Sequence, residues 1–272
     1  MITFAIPFPV IDPIAISIGP LAIRWYALAY IAGIMIGWRY AMRLSARPPV
    51  YFEPKLFDDF VLYATLGIVL GGRLGYVLFY NLAYFLQNPV EIFMVWNGGM
   101  SFHGGMLGVV VATMLFARQT NTPILAVGDI VAAAAPIGLF FGRIANFING
   151  ELFGRVAVDV PWAMVFPRGG PDARHPSQLY EAALEGVVLF LILFVLARRP
   201  GVRERPGIVV GMFLIGYGVF RSTVEFFREP DAHLGFLFSF VTMGQMLSLP
   251  MILFGVFLIW YAVSRPAAIA KG

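Results

Sequence analysis

The sequence predicts an all-α, polytopic membrane protein of about seven spanning helices. Three observations lead there. Of the 272 residues, 60% are apolar and only 12% are charged, against about a quarter charged in a soluble domain. Apolar stretches of about 18 or more residues recur along the chain, long enough to cross a bilayer. These stretches are continuous rather than alternating, and lipid offers no water to unpaired backbone groups, so helices are favoured over a barrel.

Spans are predicted near 21–41, 58–80, 92–117, 124–146, 178–197, 207–227 and 237–263. The third contains Asn97-Gly-Gly-Met-Ser-Phe-His-Gly-Gly105, a polar, glycine-rich stretch that reads as a broken or re-entrant segment. Such a segment survives at membrane depth only under cover of protein or a wet cavity. One set of loops carries Arg39, Arg43, Arg47, Lys55, Arg118, Arg198, Arg199, Arg203, Arg205, Arg265 and Lys271; the other carries Arg24, Arg155, Arg168, Arg174 and Arg228. The richer side is cytoplasmic by the positive-inside rule, which puts the N-terminus outside and the C-terminus inside. The longest stretch between spans, 150–177, holds Pro161, Pro167, Gly169, Gly170, Pro171 and Pro176. It is expected to form a small irregular periplasmic head on a single transmembrane domain covering 1–272. The first basic residue is Arg24, so a cleavable signal peptide is not expected.

Composition also excludes. The net charge of +4 sits mostly at helix ends, where it sets orientation and gives no reason to expect nucleic acid. With no cysteine, any thiol chemistry must use a thiol on the substrate. No Walker loop, dinucleotide fingerprint, GxSxG elbow or HExxH occurs, and no cofactor is expected. His103, His175 and His233 show no metal-ligand spacing, so no metal is expected.

Four runs carry candidate chemistry, because a charge inside a span is costly and marks a functional site by default. In Gly142–Gly154, Arg143 and Asn146 share a helix face and Glu151 lies close to that line. An arginine fork with amides suits an anionic oxygen cluster such as a phosphate. The plainer alternative has Arg143 snorkelling to the outer interface and pairing with Glu151. In Tyr217–Glu229, Tyr217, Arg221, Glu225 and Arg228 recur on one face, with Arg221 and Glu225 spaced for an i,i+4 pair; the alternative is a structural ion pair, itself weak evidence of stability. His103, between Gly98-Gly99 and Gly104-Gly105, is of the residue type best suited to general-base work and is a candidate base, or else a satisfied core histidine. Arg73, embedded in Gly71–Asn81, either serves the site or partners a buried acid. Asp129 reads most simply as a helix N-cap. Gly67/Gly71/Gly75, Gly104/Gly108 and Gly138/Gly142 are spaced for close helix packing.

At Arg24-Trp-Tyr26, Gly71–Asn81, Gly98–Gly105, Gly142–Arg155, Arg174–Glu181 and Tyr217–Asp231 the chain resembles the prolipoprotein diacylglyceryl transferases, bacterial inner-membrane enzymes. The runs occur in order over nearly the whole chain, and Arg143–Gly154 is the most specific. The resemblance implies transfer of the diacylglyceryl group of phosphatidylglycerol to the lipobox cysteine of a prolipoprotein signal peptide. A thioether forms and glycerol phosphate leaves. It implies that Tyr26, His103, Arg143, Asn146, Glu151, Gly154, Arg221 and Glu225 match positions important to activity, Arg143 being tied to the lipid donor, with the site toward the periplasm. The 155–174 stretch is short beside some relatives.

The resulting expectation assigns His103, Arg143, Arg221, Glu151 and Glu225 to catalysis. Arg143, Asn146, Gly154, Tyr26, Arg73 and Tyr217 are assigned to substrate binding. His103 and Glu151 are rival bases. A transporter of a small anion is the competing class, since broken helices and embedded charges also mark transport pathways; anion uptake into vesicles without lipid turnover would favour it.

Overall fold

The computed structural model describes residues 6–9, 11–19, 21–157, 159–229 and 242–267. Its long helices are α1 (Trp25–Ser45), α2 (Phe57–Tyr80), α3 (Phe102–Gln119), α4 (Ile124–Ile148), α5 (Ser177–Leu196), α6 (Ile208–Val224) and α7 (Met243–Val263). Four of them, α2 (with the short turn before it), α4, α5 and α7, are long and apolar enough to cross a membrane. Leu62, Leu66, Leu70, Leu74 and Leu78 form an exposed stripe along α2 at every fourth residue, while Glu181, Glu185 and Glu225 are buried. Apolar side chains outside and charges inside invert the arrangement water imposes. The chain is a multi-pass helical membrane protein.

Several boundaries depart from expectation for local reasons. Residues 21–24 belong to a strand, so the first helix starts and ends about four residues later than predicted. Ile14–Ile18 (β2) pairs antiparallel with Leu21–Arg24 (β3) across Gly19, whose φ of 57° suits a tight turn. The alternation of isoleucine with small residues fits a strand yet reads as apolar in any hydropathy window. The predicted third span is helical only from Phe102: 92–97 forms 3₁₀ turns, Gly98 and Gly99 take φ of 81° and 78°, and Ser101 caps the new helix by accepting from the Gly104 N–H at 3.2 Å. The head is mostly irregular, with short pieces of strand. Ile6–Pro7 (β1) pairs parallel with Met164–Val165 (β4), and Ala157, Ala163 and Ala173 form a small core. The start of the seventh predicted span, 237–241, and His233, Asp231 and Lys271 lie outside the described residues. Thr242 and Gln245 form a capping box that begins α7.

The described residues divide into two compact units: Met42–Gly128, and the residues up to Ala41 together with those from Asp129 onward. In the first, α2 and α3 pack through their glycines; a Cβ at Gly67, Gly71, Gly104 or Gly108 would collide with a carbonyl oxygen of the opposite helix, the close approach that small residues permit. A Cβ on Gly138 or Gly142 meets nothing within 4 Å among the described residues, although one on Gly33 of α1 would come within 3.3 Å of the Gly138 Cα.

In the other unit Asp129 caps a helix that is not its own. Its carboxylate accepts the Gly207 N–H at 2.9 Å and the Val210 N–H at 2.8 Å, at the start of α6. Two N–H groups that the helix geometry leaves unpaired are thereby satisfied. Asp129→Ala removes both acceptors from a buried place and is expected to cost about 1–3 kcal/mol. A lowered thermal midpoint in detergent checks this; an unchanged midpoint refutes the cap.

Candidate functional site

The last turn of α4 supplies Arg143 and Asn146. From α5 come Glu181 and Glu185, both fully buried. Between them the helix widens into a π-helical stretch, Ala182–Val188, a feature frequent at functional sites. α6 and the turn after it bring Tyr217, Arg221, Glu225 and Arg228.

These charges form one alternating chain. Glu185 lies 3.4 Å from Arg143, and Arg143 lies 3.3 Å from Glu181. Glu181 reaches Arg221 at 2.5 Å, Arg221 pairs with Glu225, and Glu225 meets Arg228 at 3.5 Å. Arg143 and Arg221, on different helices, thus converge on the single carboxylate of Glu181. The i,i+4 pairing of Arg221 and Glu225 is the one the spacing predicts. Tyr217 stands within electrostatic reach of Arg143, Arg221, Glu181 and Glu185. Gly244 of α7 closes the site: a Cβ there would sit 2.5 Å from Glu225 Oε1 and 3.1 Å from Arg221 Nε.

A second polar group follows directly. Glu151 Oε1 accepts from Asn146 Nδ2 at 2.8 Å and from Asn149 Nδ2 at 3.4 Å. Glu151 therefore pairs with amides; the alternative in which it neutralises Arg143 is not the one adopted. Gln178 Nε2 donates to the Glu151 carbonyl at 2.6 Å, and Ser177 Oγ donates to the Leu152 carbonyl at 3.0 Å, which ties this loop to the start of α5. Tyr26 packs its ring against that of Tyr30, centroids 5.1 Å apart, and stands within electrostatic reach of Asn146 and Glu151. It also lines an open groove of about 540 Å³ with Ala22, Ile23, Arg24, Ala27 and Tyr30.

Gly154, expected among the substrate-binding residues, has a steric task. A Cβ would collide with the Phe227 carbonyl oxygen and lie 2.7 Å from both Cβ and O of His175. Its N–H donates to His175 O at 2.8 Å, and Arg155 donates from N, Nε and Nη2 to the carbonyls of Phe227, Arg228 and Glu225. Here the head is stitched to the turn that carries Glu225. His175 contacts Tyr180 at 3.1 Å; partial burial holds its imidazole below the ordinary histidine range, against the opposing pull of Asp159.

His103 and Arg73 belong to the other unit. His103 is an exposed residue in the first turn of α3. Arg73 is buried and occupied: it donates to the carbonyls of Ile92 at 2.9 Å, Gly98 at 2.5 Å, Gly99 at 3.3 Å and Glu91 at 2.5 Å, and lies over the Phe85 ring. Arg73, expected to bind substrate, directs its fork to backbone carbonyls of the loop that precedes α3.

Sequence reasoning missed Glu181, Glu185 and Gly244 as site residues. Two acids at i,i+4 inside an apolar run were the available signal, since like charges at that spacing repel unless cations sit between them. For Gly244 no signal stood out.

The family described as prolipoprotein diacylglyceryl transferase matches residues 13–261. A phosphatidylglycerol–prolipoprotein diacylglyceryl transferase of Paramagnetospirillum magneticum is 63% identical, covering 98% of this chain and 100% of that protein. Proteins of the same name from Rhodospirillum rubrum and Azospirillum brasilense are 62% and 60% identical; each alignment covers 97% of this chain, with 96% and 99% of the respective relative. The chain belongs to the prolipoprotein diacylglyceryl transferase family.

Proposed function

We propose that the chain transfers the diacylglyceryl group of phosphatidylglycerol to the lipobox cysteine thiol of prolipoproteins, releasing glycerol phosphate. It does so from seven spans in a bacterial inner membrane, with the N-terminus and the site toward the periplasm. One observation carries the reading: two embedded arginines from separate helices converge on one anionic oxygen pair, that of Glu181. A guanidinium fork matches carboxylate and phosphate alike.

The thiol sulfur attacks an sp3 glycerol carbon and the carbon–oxygen bond to phosphate breaks. Charge grows on the departing phosphate, and Arg143 and Arg221 stabilise it in a dry site. Glu225 holds Arg221 in place, Asn146 orients the headgroup, and Tyr26 and Tyr217 flank it. The thiol must first become a thiolate; His103 takes the proton, with Glu151 the rival base.

Incubating the purified protein with phosphatidylglycerol and a lipobox peptide is expected to raise the peptide's mass by one diacylglyceryl group. An unmodified peptide overturns the reading. In the same assay, His103→Gln is expected to lose most activity; a wild-type rate across about pH 6 to 9 passes the role to Glu151.

A further inference from the structure

We propose that Glu185 is a proton-accepting member of the lipid site, taking up one proton when the phosphate of an anionic headgroup joins Arg143 and Arg221. The inference rests on assigning those arginines to the phosphate.

Among the described residues the ion chain sets Arg143, Arg221 and Arg228 against Glu181, Glu185 and Glu225, and Arg155 reaches the Glu225 and Arg228 carbonyls beside it. A phosphodiester seated on Arg143 and Arg221 brings one negative charge against these buried carboxylates and competes for their arginines, and a buried charge without compensation is costly. Protonating the carboxylate that loses its arginine removes that cost.

The geometry selects which one. Glu181 and Glu225 each touch two arginines, whereas Glu185 touches Arg143 alone, at 3.4 Å. Its side chain is fully buried, and its Oε1 has no hydrogen-bond partner among the described residues. The groups facing it are Arg143 on α4, Glu181 on its own helix, and Tyr217 and Arg221 on α6; Gly244, where α7 meets Arg221 and Glu225, adds no charge. When a phosphate oxygen takes the Arg143 Nη2 donor, Glu185 loses the one arginine it contacts among the described residues. A proton from bulk water then converts the carboxylate to a carboxylic acid, whose O–H can donate to the arriving phosphate. No bond to carbon forms or breaks in this step.

The sign follows from linkage. If binding takes up a proton, affinity for phosphatidylglycerol falls as pH rises, by up to about tenfold per pH unit where one full proton is coupled. The test mixes the protein in a phosphate-free maltoside detergent with phosphatidylglycerol, in weak buffer with a pH indicator, between about pH 6 and 9. Wild type is expected to take up close to one proton per molecule at the upper end of this range. Glu185→Gln, which mimics the acid, is expected to take up none and to bind with a flat pH profile. Binding by wild type without uptake at any pH overturns the proposal, as does uptake retained in Glu185→Gln. The wild-type count decides alone if the variant does not fold. Deacylated phosphatidylglycerol, a phosphodiester with one fixed charge across this range, serves as a second ligand: uptake with both ligands supports the proposal through the phosphate itself, and uptake with the lipid alone supports it through the seated headgroup. If Arg143→Ala binds the lipid as tightly as wild type, the arginine assignment falls instead.

Discussion

Replacing Arg143 by alanine is expected to lower diacylglyceryl transfer by at least about 10²–10³-fold, the usual consequence of removing one preorganised donor from a developing oxyanion. It also strips Glu185 of its cation and leaves Glu181 with Arg221 alone. Breaking a buried pair by removing one partner costs about 3–5 kcal/mol, so the thermal midpoint should fall with the activity. A double variant separates the two effects. Adding Glu185→Gln removes the stranded charge, and the midpoint should recover in part while transfer stays absent. A single variant that transfers at the wild-type rate would end the account of Arg143 as a phosphate ligand.

The second large effect is expected at Gly154. Alanine there drives a Cβ into the Phe227 carbonyl oxygen and against His175. Both neighbours are held by backbone hydrogen bonds, Gly154 to His175 and Arg155 to Phe227, each at 2.8 Å. No rotamer change relieves a clash with backbone, and overpacking of this kind costs about 1–3 kcal/mol. The segment that must yield carries Glu225 and Arg228. A displacement of about 1 Å in a site's support can cost about 10²-fold in rate. Gly154→Ala should therefore lose about that much transfer and melt earlier. Wild-type rate and midpoint together would show that the loop tolerates the methyl group.

Much of this was legible in the chain. Long apolar runs give the helices, and the cost of an arginine in lipid singles out Arg143 and Arg221. The i,i+4 spacing gives the Arg221–Glu225 pair. What stayed hidden is what linear spacing does not encode. Glu181 looked like the tail of a loop motif because its partners lie 38 and 40 positions away. Asp129 was read as a cap, but the helix it caps begins about 79 residues later. The hairpin Ile14–Arg24 runs directly into α1, and an apolar strand joined to an apolar helix leaves no seam in hydropathy. Arg73 drew attention as an embedded charge, yet its partners are carbonyls, which no side-chain pattern announces.

When α5 first enters the bilayer, α6, encoded downstream, has not yet docked beside it. At that stage Arg143 is the one cation of this array already made inside a preceding span, and it faces two glutamates. An unpaired charge at the centre of a span costs about 2.5–3.5 kcal/mol on insertion scales. Arg221 therefore arrives as the counter-ion that completes the assembly, and newly made α5 reaches its final charge state only after the helix encoded downstream has docked beside it.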